Sequence, residues 1–259
     1  MTPTPKIGLA LAGGGARASA HIGVLQALNE HDIYPDEISG CSAGAMIGAL
    51  YCHGYSPLEI LELSMQEEFV RIFKFQLWTT EWNRLSMLRK LLHKHLPENS
   101  FEAMKIPFHA CLTNLNKGCS EYHTTGDLTT CIVASCAVPV IFKPVRMDGI
   151  TYVDGGVLNN LPIEPLQDRG MKIMGVSICP HEELETIKGI REISERVFQL
   201  NVWSNTEHRL NQCDVALEVV DSFTYGMFDV NKSEELFKIG YDCAMKQMPE
   251  IIAGLQKPA

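Results

Sequence analysis

One stretch constrains this chain more than any other: Glu37-Ile-Ser-Gly40-Cys-Ser42-Ala-Gly44-Ala-Met-Ile-Gly48-Ala-Leu50. It holds Gly40-x-Ser42-x-Gly44, the spacing of a nucleophile elbow. In such an elbow a serine stands on a sharp strand-to-helix turn, with its hydroxyl pushed clear of the sheet. The turn brings backbones close together, so a Cβ at either flanking position would clash. The small and apolar residues after Ser42 suit a helix packed tightly beneath it. The pattern alone also fits a plain tight turn capped by serine. It arises by chance in roughly one chain in ten of this length, so the surrounding sequence has to decide.

Upstream, Ile7-Gly-Leu-Ala-Leu-Ala12 is a continuous apolar run that ends at Gly13-Gly14-Gly15. Such a run predicts a strand buried on both faces, as in a parallel sheet. Ile22, Val24, Leu25 and Leu28 predict a helix from Ala16 to Asn29. Strand, glycine loop, helix and the strand into Ser42 make a βαβ unit. The loop has two readings. Gly13-x-Gly15-x-x-Ala18 satisfies a dinucleotide fingerprint, with Asp32 or Asp36 as its acid, although both acids precede the second strand instead of ending it. Alternatively, the glycines leave backbone N–H groups bare at a helix N-terminus to receive an oxyanion.

Farther along, Ser56-Pro57 opens a helical segment, 56–96, that reads as a cap. Phe69, Ile72, Phe73, Phe75, Leu77, Trp78 and Trp82 lie in it, among six Lys or Arg between Phe69 and Leu96 against one acid, Glu81. An aromatic, basic stretch of this kind suits a cover over an apolar site, a membrane surface, or simple core packing. Strands are expected at 106–113 and 119–124, then a helix from Asp127 through Thr130 to Ala137. A short strand, Ile150–Val153, delivers Asp154 into the turn Gly155-Gly156, and Asn159 and Asn160 follow. A strand over Lys172–Ile178, a helix over Glu183–Leu210, a strand over Val215–Val220 and a helix over Glu234–Met248 complete the chain. With no repeat or linker, residues 1–259 read as one α/β domain.

The net charge of −9 and a pI near 5.5 argue against a nucleic-acid partner, which needs a basic footprint. Nine cysteines without a CxxC pair suggest neither a disulfide framework nor a metal site. They fit a reducing cytoplasm. The apolar run after Lys6 is too short for a signal peptide, and no run approaches a membrane span. The expectation is a cytoplasmic protein with at most peripheral membrane contact.

Gly13-Gly-Gly-Ala-Arg17-Ala-Ser-Ala-His21-Ile-Gly-Val-Leu25, then Gly40-Cys-Ser42-Ala-Gly44, then Asp154-Gly155-Gly156 resemble the three ordered motifs of the patatin-like phospholipase family. The likeness runs from about Lys6 to Ile178, and the expectation is a small, single-domain bacterial member. It implies a three-layer αβα fold with a mostly parallel sheet. It also implies a serine hydrolase that cleaves phospholipid or lysophospholipid esters through a Ser-Asp dyad, without metal or cofactor. By that likeness Ser42 is the nucleophile and Asp154 its base. Gly13, Gly14, Gly15, Ala16 and Arg17, with Ala43, form the oxyanion and substrate loop; Gly40, Gly44, Gly155 and Gly156 support the motifs. His21 reads as a packing residue. One departure stands out, Ala18 where the family usually has Gly. Rival readings are a Ser-His-Asp triad through His181 or His208, a dinucleotide-binding protein, and a non-catalytic regulatory module with Ala18 as a sign of decay.

Overall fold

The computed structural model describes residues 5–73, 81–167, 169–179, 183 and 185–256. β1 (Lys6–Leu11) passes through a 3-10 turn, Gly15–Ala18, into α1 (Ser19–Glu30). β2 (Glu37–Cys41) turns at Ser42 into α2 (Ala43–His53). Then come α3 (Pro57–Met65), α4 (Glu67–Phe73) and α5 (Glu81–His95). A hairpin of β3 (Phe108–Asn114) and β4 (Cys119–His123) leads to α6 (Leu128–Ser135). A second hairpin joins β5 (Val145–Met147) to β6 (Ile150–Asp154). The chain ends with β7 (Met171–Ser177), α7 (Gly189–Leu210), β8 (Val215–Glu218), α8 (Ser233–Lys246) and α9 (Met248–Gln256).

The strands form one eight-stranded sheet whose pairings run β5-β6-β3-β2-β1-β7-β8, with β4 also paired to β3. Five strands, β3-β2-β1-β7-β8, run parallel; β4, β5 and β6 are antiparallel additions. Alternation along the buried strands separates two cores. Leu9, Leu11, Met174 and Val176 face the larger one, under α1, α2 and their neighbours. Ala10, Ala12 and Ile173 face a smaller one with Leu161, Ile163, Leu166 and Leu210. That is the mostly parallel, three-layer α/β architecture expected. Each fully buried Leu or Ile side chain contributes about 1.5–3 kcal/mol.

Several expected boundaries move. The first helix starts with a 3-10 turn and becomes α-helical at Ser19. Residue Ala18 has φ −60°, ordinary right-handed backbone, so its methyl costs no backbone strain. The helix expected over Glu183–Leu210 begins at Gly189. β5 and α9 were not expected; β5 is too short to show periodicity, and α9 follows α8 almost without a break. In the 56–96 segment, Ser56 and Glu59 form a reciprocal capping box at the start of α3. Ile72, Leu88, Leu91, Leu92 and Leu96 are buried in the larger core, while Phe75, Leu77 and Trp78 lie outside the described residues.

Gly44 shows how tightly the elbow is built. A Cβ there would stand 2.5 Å from the carbonyl oxygens of Leu11 and Ala12, both backbone atoms that cannot step aside. Gly44→Ala is therefore expected to lower stability by about 3 kcal/mol, measured by urea unfolding. An unchanged midpoint would show that the turn has room to spare.

Candidate active site

Register explains why two residues far apart in sequence meet. Ala110 and Cys111 pair with β2 on one side and β4 on the other. Leu112 to Asn114 pair with β4 and β6, so β6 lies on the same side of β3 as β2. β6 therefore continues the line of β2 in the opposite direction, and the C-terminal ends of the two strands meet head on. Cys41 pairs with Cys111, and Asp154 with the next residue, Leu112. Ser42 and Asp154 follow from those positions.

Ser42 has φ 52° and ψ −126°, a conformation a non-glycine residue adopts only under strain. It occupies the N-cap position of α2, yet its hydroxyl makes no capping hydrogen bond. That removes the plain capped-turn reading. The turn is braced from below: Ser42 N–H donates to Ser135 Oγ (2.8 Å), and Ser135 Oγ donates to the Cys111 carbonyl (2.7 Å).

Asp154 is 1% exposed and Ser42 9%. Burial pushes the Asp154 carboxyl up to about 6. The nearby Ser42 hydroxyl, the Gly156 N–H and the Cys41 thiol pull the other way. Gly156 N–H donates to Oδ1 at 2.8 Å, and the Cys41 thiol approaches the same oxygen at 3.7 Å. Oδ2 has no well-formed hydrogen bond.

The glycine loop arrives beside this pair from the end of β1. Gly13 N–H donates to the Asn160 carbonyl (3.2 Å). The Gly13 carbonyl accepts from the Cys179 thiol (2.8 Å) and from Asn160 Nδ2 (3.3 Å). Asn160 Nδ2 also reaches Cys179 Sγ and Thr206 Oγ1. Gly13 is thus held at both its N–H and its carbonyl, by Asn160 at each and by Cys179 at the carbonyl. Gly15 takes φ 62°, where a Cβ would also come within 2.4 Å of the Met227 carbonyl oxygen. Ala16 N–H is engaged by that same carbonyl at 2.8 Å. Arg17 is buried, and its Nε donates to the Tyr225 carbonyl (2.7 Å), which ties the loop to residues 220–225.

Gly13, Gly14, Gly15, Arg17, Ser42, Ala43 and Asp154 all line one cavity holding about 860 Å³ of free space, part of it open to solvent. Its remaining wall is largely apolar, with Val138, Phe142, Phe198, Val202, Met227 and Phe228, plus Arg196. Ala16 lies off this wall, as do Gly40, Gly44, Gly155 and Gly156, which serve the turns. No described histidine lines the cavity. His208 is exposed on α7, His181 lies outside the described residues, and His21 is buried with Nε2 on the Ala12 carbonyl at 2.8 Å. For the dinucleotide reading the acids are misplaced. Asp36 precedes β2 and accepts from Ile7 N–H at the start of β1, across the sheet from the glycine loop.

A parallel α/β sheet that lifts a strained serine out of a strand-to-helix turn, at its carboxyl edge, defines a nucleophile-elbow α/β protein. A family model described as Patatin-like phospholipase matches residues 9–166, and the chain belongs to that family. It is 36% identical over 179 residues to Lysophospholipase NTE1 of Cryptococcus neoformans var. neoformans serotype D, across 64% of this chain and 11% of that protein. Against Neuropathy target esterase sws of Drosophila melanogaster it is 31% identical over 172 residues, across 63% of this chain and 12% of that protein. The chain thus spans about a ninth of the length of these curated relatives. Among solved structures, VipD from Legionella pneumophila aligns with a TM-score of 0.57 at 15% identity, covering 96% of this chain and 67% of that one. That likeness concerns the fold. Among the described residues no helix is long and apolar enough to cross a membrane.

Proposed function

We propose that this protein is a serine lipid hydrolase that cleaves carboxylic esters of lysophospholipids or phospholipids through a Ser42–Asp154 dyad. The observation that carries the reading is the strained, uncapped Ser42 beside a buried carboxylate whose Oδ2 lacks a settled hydrogen bond. Membership of the patatin-like phospholipase family and relatives named lysophospholipase and esterase support the lipid substrate.

In this mechanism Asp154 takes the hydroxyl proton as Ser42 Oγ attacks the ester carbonyl carbon. The carbonyl π electrons move onto oxygen. Gly13 and Ala16 N–H groups are already engaged, so the oxyanion donors are the N–H groups of Gly14, Gly15 and Ala43. Collapse of the tetrahedral intermediate breaks the bond to the alcohol, which leaves with the proton held on Asp154. Water then gives a proton to Asp154 as it attacks the acyl-serine carbonyl carbon; collapse of this second tetrahedral intermediate breaks the bond to Ser42 Oγ, which takes the proton back from Asp154 as the fatty acid leaves. No cofactor enters these steps. Contact with a membrane, where it occurs, is peripheral in this reading.

Incubation with a fluorophosphonate, followed by mass-spectrometric location of the adduct, tests it. An adduct on Ser42, with fatty acid released from lysophosphatidylcholine by unlabelled protein, is the expected result. Folded protein that takes no label would turn the reading toward a non-catalytic role.

A further inference from the structure

We propose that Asn205, on α7, is a positioning residue that fixes the loop carrying the general base at two points. One is Gly156, beside the Asp154 carboxyl; the other is Asn160, which grips the glycine loop. The proposal rests on the ester-hydrolase reading above and adds the group that keeps its two halves in register.

The side-chain amide of Asn205 is used at both ends. Its Nδ2 donates to the Gly156 carbonyl (3.1 Å), and its Oδ1 accepts from Asn160 N–H (2.8 Å). A carbonyl needs a donor and an N–H needs an acceptor, so these partners admit one orientation of the amide. Next to it on α7, Thr206 Oγ1 accepts from Asn160 Nδ2 (3.2 Å) and donates to the Val202 carbonyl (2.7 Å). The loop from Asp154 to Asn160 is thereby fastened to α7 through its backbone and through the Asn160 side chain. Asn205 is half-buried, and Phe198 and Val202, earlier on the same helix, wall the cavity above Ser42.

Each fastening point leads to a reacting group. The residue whose carbonyl Asn205 holds, Gly156, also gives its N–H to Asp154 Oδ1 (2.8 Å). Fixing Gly156 keeps that donor on the carboxylate, and a hydrogen bond to the charged form lowers a carboxyl pKa. At the other point, Asn160 Nδ2 and the Cys179 thiol hold the Gly13 carbonyl. That carbonyl belongs to the same trans peptide as the Gly14 N–H, so fixing one fixes the opposite direction of the other. Gly14 N–H is one of the proposed oxyanion donors. Asn205 thus acts on the base through Gly156 and on the oxyanion through Asn160, while it lies off the cavity wall itself.

The test is initial rates on p-nitrophenyl butyrate from about pH 5 to 8, with thermal unfolding alongside. The proteins are wild type, Asn205→Leu, Asn205→Ala, Thr206→Val and Ile251→Ala. Both Asn205 variants are expected to lower kcat about 10²-fold, with KM within about twofold of wild type. They should also move the kcat/KM midpoint upward by about half a unit or more, because Gly156 N–H no longer stays on the carboxylate. Thr206→Val loosens only the Asn160 side, so kcat should fall about tenfold with the midpoint unmoved. Ile251→Ala opens the buried core at α9; it should lower Tm and leave kcat and the midpoint as in wild type. Asn205 variants that behave like Ile251→Ala, losing Tm while keeping kcat, KM and midpoint, overturn the proposal and leave the hydrolase standing. So does a fall in kcat with the midpoint fixed in both Asn205 variants, since the base is then positioned without Asn205. Should Asn205→Leu not fold, Asn205→Ala carries the same readings. Wild-type protein that hydrolyses no ester and takes no label on Ser42 would overturn the hydrolase reading, and the positioning role with it.

Discussion

Ser42→Ala is expected to reduce ester turnover by about 10⁴-fold or more, since removing the nucleophile leaves only binding and oxyanion stabilisation. That corresponds to about 5 kcal/mol or more of lost transition-state stabilisation. The variant should fold. Ser42 N–H keeps its bond to Ser135, and alanine has the same backbone restriction as serine. Ser42→Gly, equally inactive, should be about 1 kcal/mol more stable than Ser42→Ala, because glycine accepts φ 52°, ψ −126° without a Cβ conflict. Initial rates on a soluble ester and urea unfolding of both variants give the answer. Turnover that survives in Ser42→Ala would move the nucleophile elsewhere.

Asp154→Asn should separate activity from stability. Losing the base is expected to lower kcat/KM by about 10³-fold. In the wild type the base works ionised, so kcat/KM should rise with pH through a midpoint near 6 and then level off. The variant should lack that inflection. Stability moves the other way. The folded carboxyl titrates near 6 against an ordinary 3.8, so it holds its proton more tightly folded than unfolded. Above pH 6 the buried charge costs the native state about 3 kcal/mol, a cost that fades as the pH falls toward 4. The substituted carboxamide carries no such charge, and its oxygen can still accept from Gly156. Asp154→Asn should therefore be up to about 3 kcal/mol more stable at pH 7, with little advantage near pH 4. A variant less stable than wild type at pH 7 would contradict this account.

His21 supplies the opposing slope. Burial lowers its folded pKa from 6.5 to about 4, so the unfolded chain gains a proton there that the native state refuses. Its contribution is fully present above pH 6.5 and is lost as the pH falls toward 4, by about 3 kcal/mol. Between pH 4 and 6 the two groups oppose each other, and wild-type stability should vary little. Asp154→Asn removes one of them, and unfolding across that range should then show stability falling with acid. Should the variant stay as flat as wild type, His21 is not the group involved.

Much of the elbow was legible because it is a local object. Gly40-x-Ser42-x-Gly44 specifies a turn within five residues, and the closeness of Gly44 to the β1 carbonyls is the clash that the spacing anticipates. Runs such as Ile7–Ala12 announce a strand buried on both faces, since each alternate residue has a core to enter. Resemblance to the family carried the pairing of Ser42 with Asp154. Residue patterns alone left Asp154-Gly155-Gly156 as one turn among several.

Tertiary structure decided the rest. That β6 runs antiparallel in line with β2, so that Asp154 meets Ser42, depends on which side of β3 each strand takes, and no local propensity encodes that choice. Bracing of the turn by Ser135 and the hold of Asn160 and Cys179 on Gly13 are contacts between residues tens to more than a hundred positions apart. Conformational preference acts over a few residues and is written in the sequence. Contact across the sheet follows from burying both faces of every central strand at once, and only the folded chain satisfies that condition.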